Sequence, residues 1–162
     1  MQPDPDTPYG PMETVYRLEV ELAADPRQVE LTQALTQNPD RPHMGLAGRH
    51  GLYASDTWWD SVRSGRMPLE TISGIIVRAY RAGQDNSGPP NTVEVETASG
   101  ARETVGIHVN HRRDRRRFLP GRAVRIVYAL DELKPLAAVA CKETHCRIAL
   151  TMAVTPEPAA AG

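Results

Sequence analysis

Aromatic side chains are scarce in this chain: eight in 162 residues, and a single Phe. Cysteine is scarcer still. Cys141 and Cys146, five apart in CKETHC, make no disulfide framework. No apolar run approaches the roughly 20 residues of a membrane-spanning helix. The N-terminal stretch MQPDPDTPYGPM has neither a basic nor an apolar leader region, so no signal peptide is expected. There is no G-x-S-x-G, H-E-x-x-H, P-loop or C-x-x-C, which lowers the weight of an enzymatic reading. No cofactor and no catalytic residue is assigned. A soluble cytoplasmic protein is expected.

Lysine is almost missing as well: of nineteen basic residues, only Lys134 and Lys142 are not arginine. Together with abundant alanine, this reads as GC-rich bacterial coding bias. The net charge of −1 points to neither a nucleic acid nor a membrane. Its distribution says more. Residues 1–45 carry eight acids and three bases (−5), and residues 46–162 carry twelve acids and sixteen bases (+4). The acidic section either aids solubility or packs across the basic part of the body. At 40% hydrophobic residues, the chain is long enough to bury one core unaided.

Composition divides the chain into a disordered arm over 1–12, an accessory strand-helix section over 13–45, a β-barrel domain over 46–154 and a disordered tail over 155–162. In the accessory section, ETVYRLEVEL reads as a strand, with Leu18, Val20 and Leu22 alternating against acids. A helix follows from Pro26 to about Gln37. Asp25 caps it, Gln28 completes a capping box, and Asn38-Pro39 stops it. Its apolar stripe of Leu31, Ala34 and Leu35 is thin, which suits a surface helix. Residues 39–54 read as loop.

SDTWWDSVRSG predicts a short helix over 56–64, capped by Ser55 or Asp56 and stopped by Gly65. Adjacent helical residues point about 100° apart, so Trp58 and Trp59 cannot share a pocket. One of them, with Val62, is expected to plug the barrel end while the other stays half exposed.

From residue 71 the hydrophobic period becomes two. TISGIIVRAY is a long strand with Gly74 where it would bend. TVEVETASGARETVGIHV is a hairpin turning at Ser99-Gly100, with Val93 and Val95 facing in. HRRDRRRF reads as a short charged helix. RAVRIVYAL and RIALTMAV are the last strands, joined by a loop over 131–144. The expected fold is therefore mainly β: a small five-stranded OB-like barrel, alternatively SH3-like, with an N-terminal strand-helix extension.

The run GLYASDTWWDSVRSGRMPLETISGIIVRAYRAGQD resembles a pattern in an uncharacterised bacterial family, in which paired tryptophans precede a small OB-like β-barrel. The resemblance covers roughly 45–154 and implies the domain boundaries. It implies no activity.

Three functions follow as expectations. The first is a non-enzymatic protein-binding module that recognises a protein or a second copy of itself. Its candidate contacts are Trp58 or Trp59, Arg78, Tyr80, Gln84, Asp85 and Asn86 of the first inter-strand loop, and Arg112, Arg113, Arg115, Arg116 and Arg117. A secreted effector or toxin held inactive is one such partner, although no residue selects that role. The second is a nucleic-acid-binding OB domain. It is disfavoured because the middle strands expose Glu94, Glu96, Glu103 and His108 rather than stacking aromatics. The third is a metal-dependent enzyme using Cys141, His145 and Cys146 with His108 and His111. It is disfavoured because the spacing is not that of a zinc knuckle, and no metal ligand is assigned.

Overall fold

The structure, a computed structural model, describes residues 9–83 and 88–159. The expected arm lies mostly outside this range, as do Gln84, Asp85 and Asn86 of the inter-strand loop and the last three residues of the expected tail.

Among the described residues, six strands form one sheet: β1 (Glu13–Arg17), β2 (Leu69–Tyr80), β3 (Thr92–Glu96), β4 (Arg102–Gly106), β5 (Ala123–Glu132) and β6 (His145–Val154). Their order is β1-β6-β5-β2-β3-β4. Four α-helices accompany them: α1 (Leu18–Ala24), α2 (Pro26–Gln37), α3 (Asp56–Ser64) and α4 (Pro135–Cys141). A 3₁₀ helix covers Arg112–Arg117. The protein is mainly β, but the five-stranded OB-like barrel is corrected to an open, six-stranded antiparallel sheet.

The extra strand explains the correction. ETVYR is a sheet member, pairing antiparallel with β6 from Glu13↔Val154 to Arg17↔Thr151. It occupies the edge that a barrel would use for closure. Opposite it, the irregular segment after β4 reaches β1. The Asn110 backbone N–H donates to the Val15 carbonyl at 3.0 Å. The Asn110 side chain accepts from Arg17 N at 2.8 Å and donates to its carbonyl at 3.2 Å. That clamp is three hydrogen bonds made by one residue, where closure needs a continuous ladder.

The residues after β1 also differ from expectation: Leu18–Ala24 is helical. Leu18 and Leu22, four apart, are buried, whereas Val20 is 47% exposed. That is helical spacing rather than strand alternation. In α2, Pro26 stands at the start as expected, but Asp25 makes no side-chain cap. The helix buries none of its residues, in keeping with its thin stripe. The stretch 131–144, expected as loop, extends β5 to Glu132 and then forms α4 with Pro135 at its first turn.

The chain forms two compact units. The first gathers the residues up to Leu18, Thr71–Val127 and those from Leu150 on. Its core includes Ile76, Val93, Val95, Val105, Phe118, Val124, Ile126, Met152 and Val154. Here β2 crosses β3 closely. A Cβ on Gly74 would sit 2.5 Å from the Glu96 carbonyl oxygen, so only glycine fits. The β3–β4 hairpin turns at Ser99-Gly100, with Thr97 N donating to Ala101 O at 2.9 Å. Thr155 is buried, and its hydroxyl accepts from Ala123 N at 3.0 Å.

The second unit comprises Glu19–Glu70 and Tyr128–Ala149. Its core holds Leu22, Leu46, Tyr53, Trp58, Met67, Ala129 and Ala137. Lys134 ties it together. Its Nζ donates to the carbonyls of Leu35 (2.6 Å), Arg41 (3.0 Å) and Asn38 (3.4 Å), which closes the C-terminal end of α2.

Candidate functional site

The tryptophan pair is resolved within the second unit. Helix α3 spans Asp56–Ser64, the Ser55 hydroxyl accepts from Trp58 N, and Gly65 adopts φ 84° at its end. Trp58 is fully buried. Its indole N–H donates to Asp131 Oδ2 at 2.9 Å, and its ring meets the edge of Tyr53 at 5.3 Å. Trp59 is half-buried and stands perpendicular to Trp58 at 4.8 Å. Trp58 is therefore a core residue, and Trp59 is the member of the pair with surface to offer.

Sequence reasoning missed Asp131. Its carboxyl is buried, Oδ1 has no hydrogen-bond partner, and burial raises its pKa against the opposing influence of the Trp58 bond. Burial likewise pushes the Tyr53 hydroxyl up to about 12 and raises the Cys146 thiol. Asp131 and Tyr53 lie inside the unit, whereas Cys146 is half-buried.

A cavity of about 420 Å³ in the same unit is lined by Glu70, Leu130, Glu143, Thr144, His145 and Arg147. Its Arg147 is already engaged, pairing with Glu70 at 2.9 Å and lying 5.6 Å over the Tyr128 ring. Helix α4 exposes Leu136 and Val139, three residues apart on one face.

In the first unit, Arg78 and Tyr80 pack on each other, with the guanidinium 4.2 Å above the ring. Arg78 also faces its cross-strand partner Glu94 at 3.5 Å. Arg102 bridges Glu94 and Glu96 at 3.7 and 3.5 Å. This is a cross-strand ladder of exposed charges, each worth little energetically.

The arginine segment differs. A 3₁₀ helix eclipses residues three apart, so Arg112–Arg117 forms three rows: 112/115, 113/116 and 114/117. The third row is neutralised. Arg117 pairs with Asp114 at 3.0 Å and with the carboxylate of Glu13 in β1. Of the acidic N-terminal section, Glu13 thus meets the basic body within this unit. The other two rows form no ion pair among the described residues. With Pro89 they line a cavity of about 380 Å³. Arg115 Nε is buried without an acceptor.

The residues considered for metal binding scatter. His108 packs edge-on against Tyr16 at 5.3 Å, and burial lowers its pKa. Cys141 is exposed, and both cysteines are free. Among the described residues, no group of three His, Cys, Asp or Glu side chains is placed to hold a metal ion. No helix among them is long and apolar enough to cross a membrane.

Among the described residues, the geometry thus offers unpaired charge in the first unit and a half-buried indole in the second. A family model described as Immunity protein RhsI2 matches residues 12–155. The chain belongs to the RhsI2 immunity protein family. It is a bacterial family, and its name implies a protein partner. The match begins one residue before β1 and ends one residue after β6, so every described element lies inside it. No curated protein matches the chain.

Proposed function

We propose that this protein is a non-enzymatic immunity protein that binds a toxin in the cytoplasm and holds it inactive. The observation that carries the reading is the family match over residues 12–155. The surface supports it. Asp131 and Tyr53 are buried in the second unit, whereas Trp59 and the arginine rows reach outward. A binder of this kind needs a rim of charge around a few aromatic or arginine anchors.

Co-expression is the test. Toxin domains from the same bacterium are induced with and without this protein, and survivors are counted. One of them should be tolerated only in its presence, and the pair should co-elute as a complex on size exclusion. Survival without a complex would point to an enzymatic antidote. Failure to protect against any of them would sink the reading.

A further inference from the structure

The arginine rows carry a more specific inference, which rests on the toxin-binding reading. We propose that Arg112, Arg113, Arg115 and Arg116, with Pro89, form a cradle for a carboxylate-bearing segment of the protein partner.

Three observations converge. First, the segment 111–118 carries five arginines and one aspartate. Asp114 and Glu13 both serve Arg117, which leaves four guanidinium groups uncompensated. Second, the eclipsed rows hold like charges about 6 Å apart along the axis. Such an arrangement is relieved by an anion set between them. Third, these side chains line a concavity, with Arg112, Arg113 and Arg116 still exposed to an incoming partner, and Arg115 Nε is buried with no acceptor. A buried donor without a partner is costly. A guanidinium fork meets a carboxylate with two parallel hydrogen bonds.

A carboxylate suits the cradle better than a nucleic acid. Single-strand binding needs a basic track and aromatic faces for stacking. In this unit Phe118 and Tyr16 are buried, and Arg78 covers Tyr80. The 3₁₀ helix is only six residues long. The cradle is a local socket, matched to one or two acidic side chains on a partner's surface.

The test uses the full chain with fluorescein-labelled hexaglutamate and hexathymidylate at low ionic strength, read by anisotropy. Two variants carry the same charge change: Arg113→Glu/Arg116→Glu in the cradle, and Arg27→Glu/Arg41→Glu on the exposed end residues around α2. All four positions are exposed, so both variants should fold, which circular dichroism checks. Hexaglutamate should bind the wild type, weaken by about tenfold or more in the cradle variant, and hold steady in the control. No binding, or equal weakening in both variants, would overturn the cradle. Hexathymidylate binding more tightly, with loss in the same variant, would overturn the carboxylate assignment in favour of phosphate. The co-expression assay separates the two readings. A cradle variant that still protects cells refutes the cradle's role and leaves the immunity function standing. A wild type that protects against no toxin refutes the immunity function, while the hexaglutamate result stands on its own.

Discussion

Replacing Asp131 by Asn tests the burial argument through pH. In the folded protein this carboxyl is fully buried, with one oxygen bonded by Trp58 and the other bare. Its pKa is therefore raised from 3.8, burial outweighing the Trp58 bond and the nearby His50. In the unfolded chain it ionises normally. Between those two pKa values the folded state holds a proton that the unfolded state has released. Stability then falls as pH rises through the window, by up to about 1.4 kcal/mol per pH unit. Below 3.8 both states are protonated and the penalty vanishes. Asn has the same shape, keeps an acceptor for the indole, and does not ionise. The assay is urea unfolding of wild type and Asp131→Asn from pH 4 to pH 8. Other titrating groups cancel in the difference. Asn should gain on Asp as pH rises until Asp131 is ionised in the folded state, after which the difference levels off. A flat difference over the whole range would show that Asp131 titrates as an ordinary surface carboxyl. A difference of opposite slope would show that the folded state favours its charge. Either result refutes the reasoning.

Other substitutions probe the remaining features. Trp58→Phe leaves a void and takes the indole donor from the Asp131 carboxyl, and should cost about 2–4 kcal/mol in thermal or urea unfolding. Lys134→Met removes a cation from three carbonyls, and should cost about 1.5–3 kcal/mol with faster hydrogen exchange at the end of α2. Gly74→Ala drives a Cβ into the Glu96 backbone, so a loss of about 1–3 kcal/mol is expected in urea unfolding. His108 is held neutral by burial, its pKa lying below 6.5. Its share of stability should fade as pH drops below 6.5, and His108→Gln should remove that part of the acid sensitivity.

Local turn chemistry was legible in the sequence, and long-range assembly was not. Helix α3 announced itself through Ser55 and Gly65, and the β3–β4 hairpin through Ser99-Gly100. Each signal lies within one element and depends on no distant contact. LEVEL was ambiguous, since Leu18, Val20 and Leu22 fit period two while Leu18 and Leu22 alone fit a helical turn. Only the exposure of Val20 decides between them. Asp131 was hidden by a change of phase within β5. Val124, Ile126 and Tyr128 are buried at even positions, but Ala129 and Asp131 are buried at odd ones. A strand that switches faces defeats an alternation rule. The start of α4 was signalled by Pro135, but its end falls on Lys142 in a left-handed conformation at φ 58°, where no glycine gives warning. The arginines were visible as a cluster, and their sorting into rows was not. It depends on 3₁₀ geometry and on Glu13, about a hundred residues away, claiming one row.

The scarcity of lysine has a practical side. Lys134, one of only two lysines, has its ammonium spent on three carbonyl oxygens. Acylation there would require those contacts to break first, so it should react slowly. Lys142, in the exposed turn after α4, is the open amine on the body of the protein. Guanidinium groups do not react with the activated esters that modify amines. An amine-directed dye or linker should therefore attach at Lys142 ahead of Lys134 and leave every arginine intact. The protein can be labelled or tethered through the second unit with the arginine cradle of the first chemically untouched.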